Sequence, residues 1–174
     1  MTGASKPQTN NQTQLFPLQL VTQARPFLKW AGGKSRLLPI LRQYLPKAGF
    51  HRYIEPFLGG GAFFFDTAPR VAILGDSNPE LIKCYEAVRD IPGEVIRALQ
   101  GMRVSESDFY EIRSQKPGGL PAAPRAARFI YLNKTCYNGL YRVNKKGEFN
   151  TTFGKYARRT SRGTLAIPEA ETHE

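Results

Sequence analysis

The chain has 174 residues, with 25 Lys and Arg against 14 Asp and Glu and a formal net charge of +11 at pH 7. Its hydrophobic fraction of 41% and aromatic fraction of 11% exclude a disordered chain, and its length allows one domain with a core or the larger part of a two-lobed enzyme, but not two full domains. No apolar run approaches the roughly 20 residues that span a bilayer, so a soluble, cytoplasmic protein is expected. Cys84, Cys136, His51 and His173 lack metal-ligand spacing, so no metal site is expected.

Residues 1–24, rich in Gln, Asn and Thr, read as a flexible leader. A short extended piece then ends at Trp30, and a Gly-Gly turn sets Lys34 at the start of a helix over Ser35 to Tyr44, with Leu37, Leu38, Ile40 and Leu41 expected inward. Gly33-Lys34-Ser35 invites a reading as a phosphate-binding loop, but Leu28 stands where such a loop needs its first glycine. Arg52 to Phe57 is a strand candidate running into Gly59-Gly60-Gly61, and Ala62 to Asp66 can start a helix. Val71 to Leu74 is a second strand ending at Gly75-Asp76. Asn78 then offers an N-cap and Pro79 a first helical residue for a helix through Val88. Strand, glycine turn, helix, strand, acid, helix is the order of an α/β sheet.

Glu94 to Met102, Asp108 to Gln115 and Ala122 to Leu132 read as three helices inserted beside the sheet. Leu140 to Phe153 reads as a β-hairpin around Asn144-Lys145-Lys146-Gly147, with Gly147 supplying positive φ. From Arg125 to Arg162 the chain carries ten basic residues and one acid, Glu148. That segregation suggests a basic face against a phosphate backbone, or more plainly a solvated basic surface.

A nucleoside-bearing cofactor needs bare backbone where it approaches a strand end and an acid one strand later for its ribose hydroxyls. Gly59 and Asp76 lie seventeen residues apart, near the spacing of about 20 that this geometry takes. Arg25-Pro26-Phe27-Leu28-Lys29-Trp30-Ala31-Gly32-Gly33-Lys34 resembles the opening segment of the Dam-type DNA adenine-N6 methyltransferases. Glu55-Pro56-Phe57-Leu58-Gly59-Gly60-Gly61 resembles their cofactor loop and Leu74-Gly75-Asp76-Ser77-Asn78 their acidic strand end. Leu132 to Arg142 and Gly147 to Tyr156 resemble their target-recognition hairpin.

The resemblance implies a Rossmann-like methyltransferase fold with an incomplete sheet and a helical and β-hairpin DNA-recognition insertion. It divides the chain into a cofactor-binding part (25–92), a target-recognition region (93–156) and a divergent or truncated tail (157–174). It implies S-adenosylmethionine as cofactor, held by Trp30, Lys34, Phe57, Gly59, Gly61 and Asp76. Trp30 offers an aromatic face to a sulfonium or adenine, and Lys34 a charge for a carboxylate. The implied partner is double-stranded DNA at a short palindrome such as GATC, contacted by Lys29, Asn138, Leu140 and Arg142, whose side chains suit phosphates and base edges. Thr152 stands where close relatives carry proline, which leaves the base preference open.

The family also carries an Asp-Pro-Pro-Tyr segment whose acid and prolyl carbonyl take the flipped adenine amine and whose ring stacks the base. No such run occurs here, and Asp76-Ser77-Asn78-Pro79 lacks the second proline. The expectation is therefore a C-terminally truncated, frameshifted or split chain with no catalytic residue of its own. Two strands alone leave an open edge and an apolar face, which predicts low stability or a complementing chain. The rival readings are a non-catalytic DNA-binding remnant and a basic module without cofactor.

Overall fold

The computed structural model describes residues 24–154. The leader up to residue 23, Lys155, Tyr156 and the tail, with four of the ten basic residues, lie outside the described residues. Two parallel strands, β1 (Tyr53–Glu55) and β2 (Ala72–Leu74), pair Tyr53 with Ala72, Ile54 with Ile73 and Glu55 with Leu74. Hydrogen bonds from Tyr53 N–H to Val71 O (3.0 Å) and from Gly75 N–H to Glu55 O (2.8 Å) carry the pairing one residue beyond β2 at either end.

Helix α1 (Leu38–Leu41) precedes β1, α2 (Ala62–Thr67) follows the glycine loop, and α3 (Pro79–Asp90) follows Asp76. The expected α/β order is present. Asn78 caps α3 by accepting from the N–H groups of Glu80 (3.0 Å) and Leu81 (3.2 Å), with Pro79 in the first turn, where its missing donor costs nothing. The helix expected over Ser35 to Tyr44 is corrected: it is a single α-turn between 3₁₀ turns at Lys34–Leu37 and Arg42–Tyr44. Pro39 has no amide to return to Ser35, so a continuous α-helical ladder cannot run through it. Of its apolar residues, Leu38 and Leu41 are half-buried, but Leu37 is 49% and Ile40 52% exposed.

The three later helices are α4 (Pro92–Gln100), α5 (Glu106–Ser114) and α6 (Ala122–Thr135). Ser105 caps α5 by accepting from Asp108 N–H (3.0 Å). α6 packs against α3, α4 and α5 and buries Ala126, Ala127, Phe129, Tyr131 and Leu132, so it is apolar around most of its circumference and lies inside the helical cluster. Leu81, Cys84, Val95, Leu99 and Phe109 complete this core. Among the described residues, no helix is long and apolar enough to cross a membrane.

The basic run is not one face. Arg125 makes a two-pronged ion pair with Glu80 of α3, its Nε donating at 2.9 Å. Arg128 is buried and donates to the carbonyls of Ile112 (2.9 Å) and Arg113 (2.8 Å), capping the C-terminal end of α5. Both guanidiniums hold helices together, leaving Lys134, Arg142, Lys145 and Lys146 as the described basic residues of that run without such a role.

Residues 140–153 double back as expected, with Gly147 at φ 77°. They form no regular strands, only antiparallel bridges between Val143 and Phe149 and between Cys136 and Phe153. Side chains replace much of the ladder: Asn144 Oδ1 accepts from Lys146 N–H (2.9 Å) and Glu148 N–H (3.0 Å), and the Thr151 hydroxyl donates to Leu140 O (2.7 Å). Such local bonds compete with strand pairing.

Candidate functional site

Both strands deliver their successors to one edge of the sheet, the carboxyl end, where open α/β sheets take ligands. After β1 the chain turns through Leu58, whose N–H reaches Gly75 O at 2.9 Å and ties the glycine loop to the end of β2. The Asp76 carboxylate spans the same gap: Oδ2 accepts from Gly59 N–H (2.9 Å) and Oδ1 from Asn78 N–H (3.0 Å). A carboxylate has about four lone-pair sites, so each oxygen keeps capacity for a hydroxyl donor.

Gly59 (φ 54°) and Gly61 (φ 69°) both sit in the left-handed region. A Cβ on Gly59 would lie 2.8 Å from Trp30 Cδ1, so the loop lies flush against the indole only because it has no side chain there. Trp30 in turn stacks on Tyr141 at 5.6 Å and 21°, and Tyr141 stacks on Phe129 of α6 at 4.9 Å and 29°. The Tyr85 hydroxyl, on α3, donates to Gly59 O at 3.2 Å.

Lys34 lies beside this loop, donating to Glu55 Oε1 at 2.7 Å and to the Phe57 carbonyl. An ammonium has three donors, so one remains. Glu55 is buried and also accepts from the Tyr53 hydroxyl at 2.7 Å. Burial first, and then the bond to Glu55, raise the Tyr53 pKa far above the ordinary phenol value. The Phe57 ring is 73% exposed. Both cysteines are buried, and burial pushes the Cys84 thiol up to about 12 and Cys136 up to about 11, so neither is a ready nucleophile.

A second feature opens beside Trp30 and reaches Gly60 of the glycine loop and Ala62 at the start of α2. A cleft of about 780 Å³ is lined by Leu28, Lys29, Trp30, Asn138, Gly139 and Leu140, among others. It brings Trp30 and three of the four expected DNA-contacting residues together. Lys134 stands nearby at the end of α6, its pKa lowered by burial and then by the Lys29 charge. Arg142 does not line the cleft; it is exposed and its Nε donates to Asn150 Oδ1 at 2.8 Å. Lys34, Phe57 and Asp76 do not line it either, and belong to the strand-end cluster.

Four contributors were not singled out from the sequence: Glu55, Tyr85, Tyr141 and Asn133, the last a buried amide of α6 bonded to the backbone of Lys29 and Gly139. Glu55, Tyr141 and Asn133 lie inside the quoted motifs but had no role given to them. Asn133 carried the clearest signal, a polar amide directly after the run Phe129-Ile130-Tyr131-Leu132.

Comparison with known proteins bears on this arrangement. A sequence profile described as the D12 class N6 adenine-specific DNA methyltransferase matches residues 30–167. The chain belongs to this family. It is 43% identical over 138 residues to the type II methyltransferase M1.LlaDCHI of Lactococcus lactis subsp. cremoris, covering 76% of this chain and 48% of that protein. It is 39% identical to the type II methyltransferase M.MjaIII of Methanocaldococcus jannaschii, covering 77% of this chain and 53% of that protein. The DNA adenine methylase of Escherichia coli K12 is 38% identical over 153 residues, covering 86% and 52%. The chain thus spans about half the length of the curated relatives it matches.

Proposed function

We propose that this D12-class chain is the cofactor-binding and target-recognition part of an adenine-N6 DNA methyltransferase, with a Rossmann-like fold and a DNA-recognition insertion. The observation that carries the reading is the Asp76 carboxylate, fixed by the Gly59 and Asn78 amides at the carboxyl ends of two parallel strands, with lone pairs left for ribose hydroxyls. The fit of S-adenosylmethionine rests on the same geometry: bare backbone at Gly59 and Gly61, the Trp30 indole beside it, and a spare Lys34 donor. When bound, this cofactor supplies the methyl group for adenine N6. Phe57, exposed at the loop, is assigned to the wall of its site.

Lys29, Asn138 and Leu140 are assigned to duplex DNA at the cleft, and Arg142 to the same duplex beside it, in a recognition region of residues 93–156 set against the cofactor part of residues 25–92. A short palindrome such as GATC is the proposed site, and the cytoplasm the proposed location. No Asp-Pro-Pro-Tyr run occurs in the 174 residues. Methyl transfer in this family uses such a segment, and whatever polypeptide supplies it is assigned to the exposed sheet face of Ile54 and Ile73.

Calorimetric titration with S-adenosylmethionine tests the cofactor assignment: Asp76→Ala is expected to abolish binding that the unaltered chain shows, and equal binding by both would overturn the role of Asp76. Labelled methyl transfer to duplex DNA, with a family C-terminal half supplied, is expected on adenine; methylation of cytosine would overturn the family reaction for this chain. For Arg142→Ala, a base-reading arginine predicts a loss of about 1–3 kcal/mol confined to one base pair, whereas a uniform loss over all sequences identifies a phosphate contact. A second reading is a DNA-binding module that turns nothing over, and methylation by these 174 residues alone would refute it.

A further inference from the structure

Asn133 sits in the last turn of α6 with 0% of its surface exposed. Its Oδ1 accepts from the backbone N–H of Lys29 at 2.9 Å, and its Nδ2 donates to the carbonyl of the same residue at 2.7 Å. The side-chain amide thereby pairs with Lys29 as a neighbouring strand would, taking both its N–H and its C=O. The second Nδ2 hydrogen goes to the carbonyl of Gly139 at 3.2 Å, so both donors of the amide are committed.

These bonds span the cleft. Lys29 and Trp30 form one wall, and the Asn138-Gly139-Leu140 turn, with Asn138 at φ 53° and Gly139 at φ 66°, forms the other. The walls also touch directly: a Cβ on Gly139 would lie 2.5 Å from Lys29 Cβ, so the Lys29 stem crosses the glycine where no side chain fits. Gly139 permits this approach, and among the described residues Asn133 is the side chain that hydrogen-bonds to both walls.

The geometry points to Asn133 as the positioning residue that sets the distance between the cofactor-side segment at Lys29–Trp30 and the recognition turn at Asn138–Leu140. It rests on the proposed assignment of the two walls to cofactor and DNA. Asn133 touches neither ligand and acts through the three backbone groups it holds. Any lesser amide would leave buried carbonyls without a donor, which native interiors avoid.

The test uses Asn133→Asp in the full chain, because aspartate keeps the shape of asparagine. Buried beside two carbonyl oxygens, its carboxyl is expected to titrate above the ordinary carboxylate range, burial and the facing acceptors outweighing the Lys29 N–H and the Lys29 and Lys134 charges that favour the anion. Below that pKa the neutral acid has one O–H to give. Above it the anion has none and opposes the Lys29 and Gly139 carbonyls. Trp30 is the only tryptophan of the chain, so its fluorescence and its quenching by acrylamide report on the cleft without any ligand.

The expected result is Trp30 quenching in the variant that is raised somewhat near pH 6, where one O–H still serves one of the two carbonyls, and markedly further near pH 9, with wild type flat. Affinity for a fluorescein-labelled duplex should fall about tenfold over the same range, the equivalent of one lost hydrogen bond. Circular dichroism at each pH reports folding. Trp30 quenching and duplex affinity that stay at wild-type values across the range, in a folded variant, overturn the positioning role. If Asn133→Asp does not fold, Asn133→Ser, which keeps one donor, decides: wild-type quenching overturns the proposal, and an exposed Trp30 upholds it. If wild type binds no duplex, the DNA assignment fails, while the quenching profile still decides whether Asn133 sets the cleft.

Discussion

The helical cluster and the sheet half of the chain are built to different standards of closure. In the cluster, Leu81, Phe109, Ala127 and Tyr131 are wholly buried, and the Tyr131 hydroxyl still finds the Arg103 carbonyl at 2.8 Å. In the sheet half, the paired Ile54 and Ile73 are 61% and 54% exposed, and Val71, Phe50 and Tyr44 are open as well. Helices satisfy their own backbone and need only a partner for one face, so four of them can enclose a core. A parallel sheet needs layers on both faces and further strands at its edges, and two strands cannot supply them. The half that is closed places the cleft; the half that is open carries the strand-end acid.

The sharpest way to break the contrast is to hollow the closed half. Phe109→Ala removes a ring from α5 that packs against Phe153 and Tyr110, and is expected to cost about 3–5 kcal/mol in urea unfolding. A loss below about 1 kcal/mol would mean that the helical cluster is not the stability core.

A smaller effect lies at the tie between α3 and α6. Arg125 holds the Glu80 carboxyl below its ordinary value of 4.5, chiefly through their hydrogen bonds, against the opposing effect of burial. A depressed carboxylate stabilises the fold above the unfolded-state pKa and loses that contribution as pH falls through the folded-state pKa. Arg125→Ala should therefore cost on the order of 1–2 kcal/mol near neutral pH. The gap between variant and wild type should narrow below the ordinary glutamate range, measured by urea unfolding at a series of pH values. A gap independent of pH would show that Arg125 acts by packing alone.

The smallest change is expected where the chain is open. Ile54→Thr and Ile73→Thr keep strand propensity and remove exposed apolar surface, so the stability of the chain should shift by no more than about 0.5 kcal/mol. Association with a complementing C-terminal half, followed by sedimentation, should weaken strongly in the same variants. Unchanged association would place the docking surface elsewhere.

Much of this organisation was legible in the residues. Asn78-Pro79 marked the start of α3 because capping and proline chemistry are local, and Gly147 marked its turn for the same reason. Helices α4, α5 and α6 stood within about two to three residues of their expected ends. The break of the Ser35 to Tyr44 helix was readable in principle at Pro39, yet the exposure of Leu37 and Ile40 was not. Apolar periodicity says which residues would share a face, not whether anything covers it.

The candidate site divides in the same way. The sequence by itself determined which residue types stand at the strand ends, that glycines bare the backbone before Asp76, and which family the motifs belong to, because these depend on local order and spacing. Only the tertiary structure decided that Lys34 pairs with Glu55, that Arg125 and Arg128 are spent on holding helices, and that Asn133, 104 residues along the chain from Lys29, joins it to Gly139. Charges and amides look alike along a sequence; what each one does depends on the partner that packing brings within hydrogen-bond reach, and that partner is set by the fold of the whole chain.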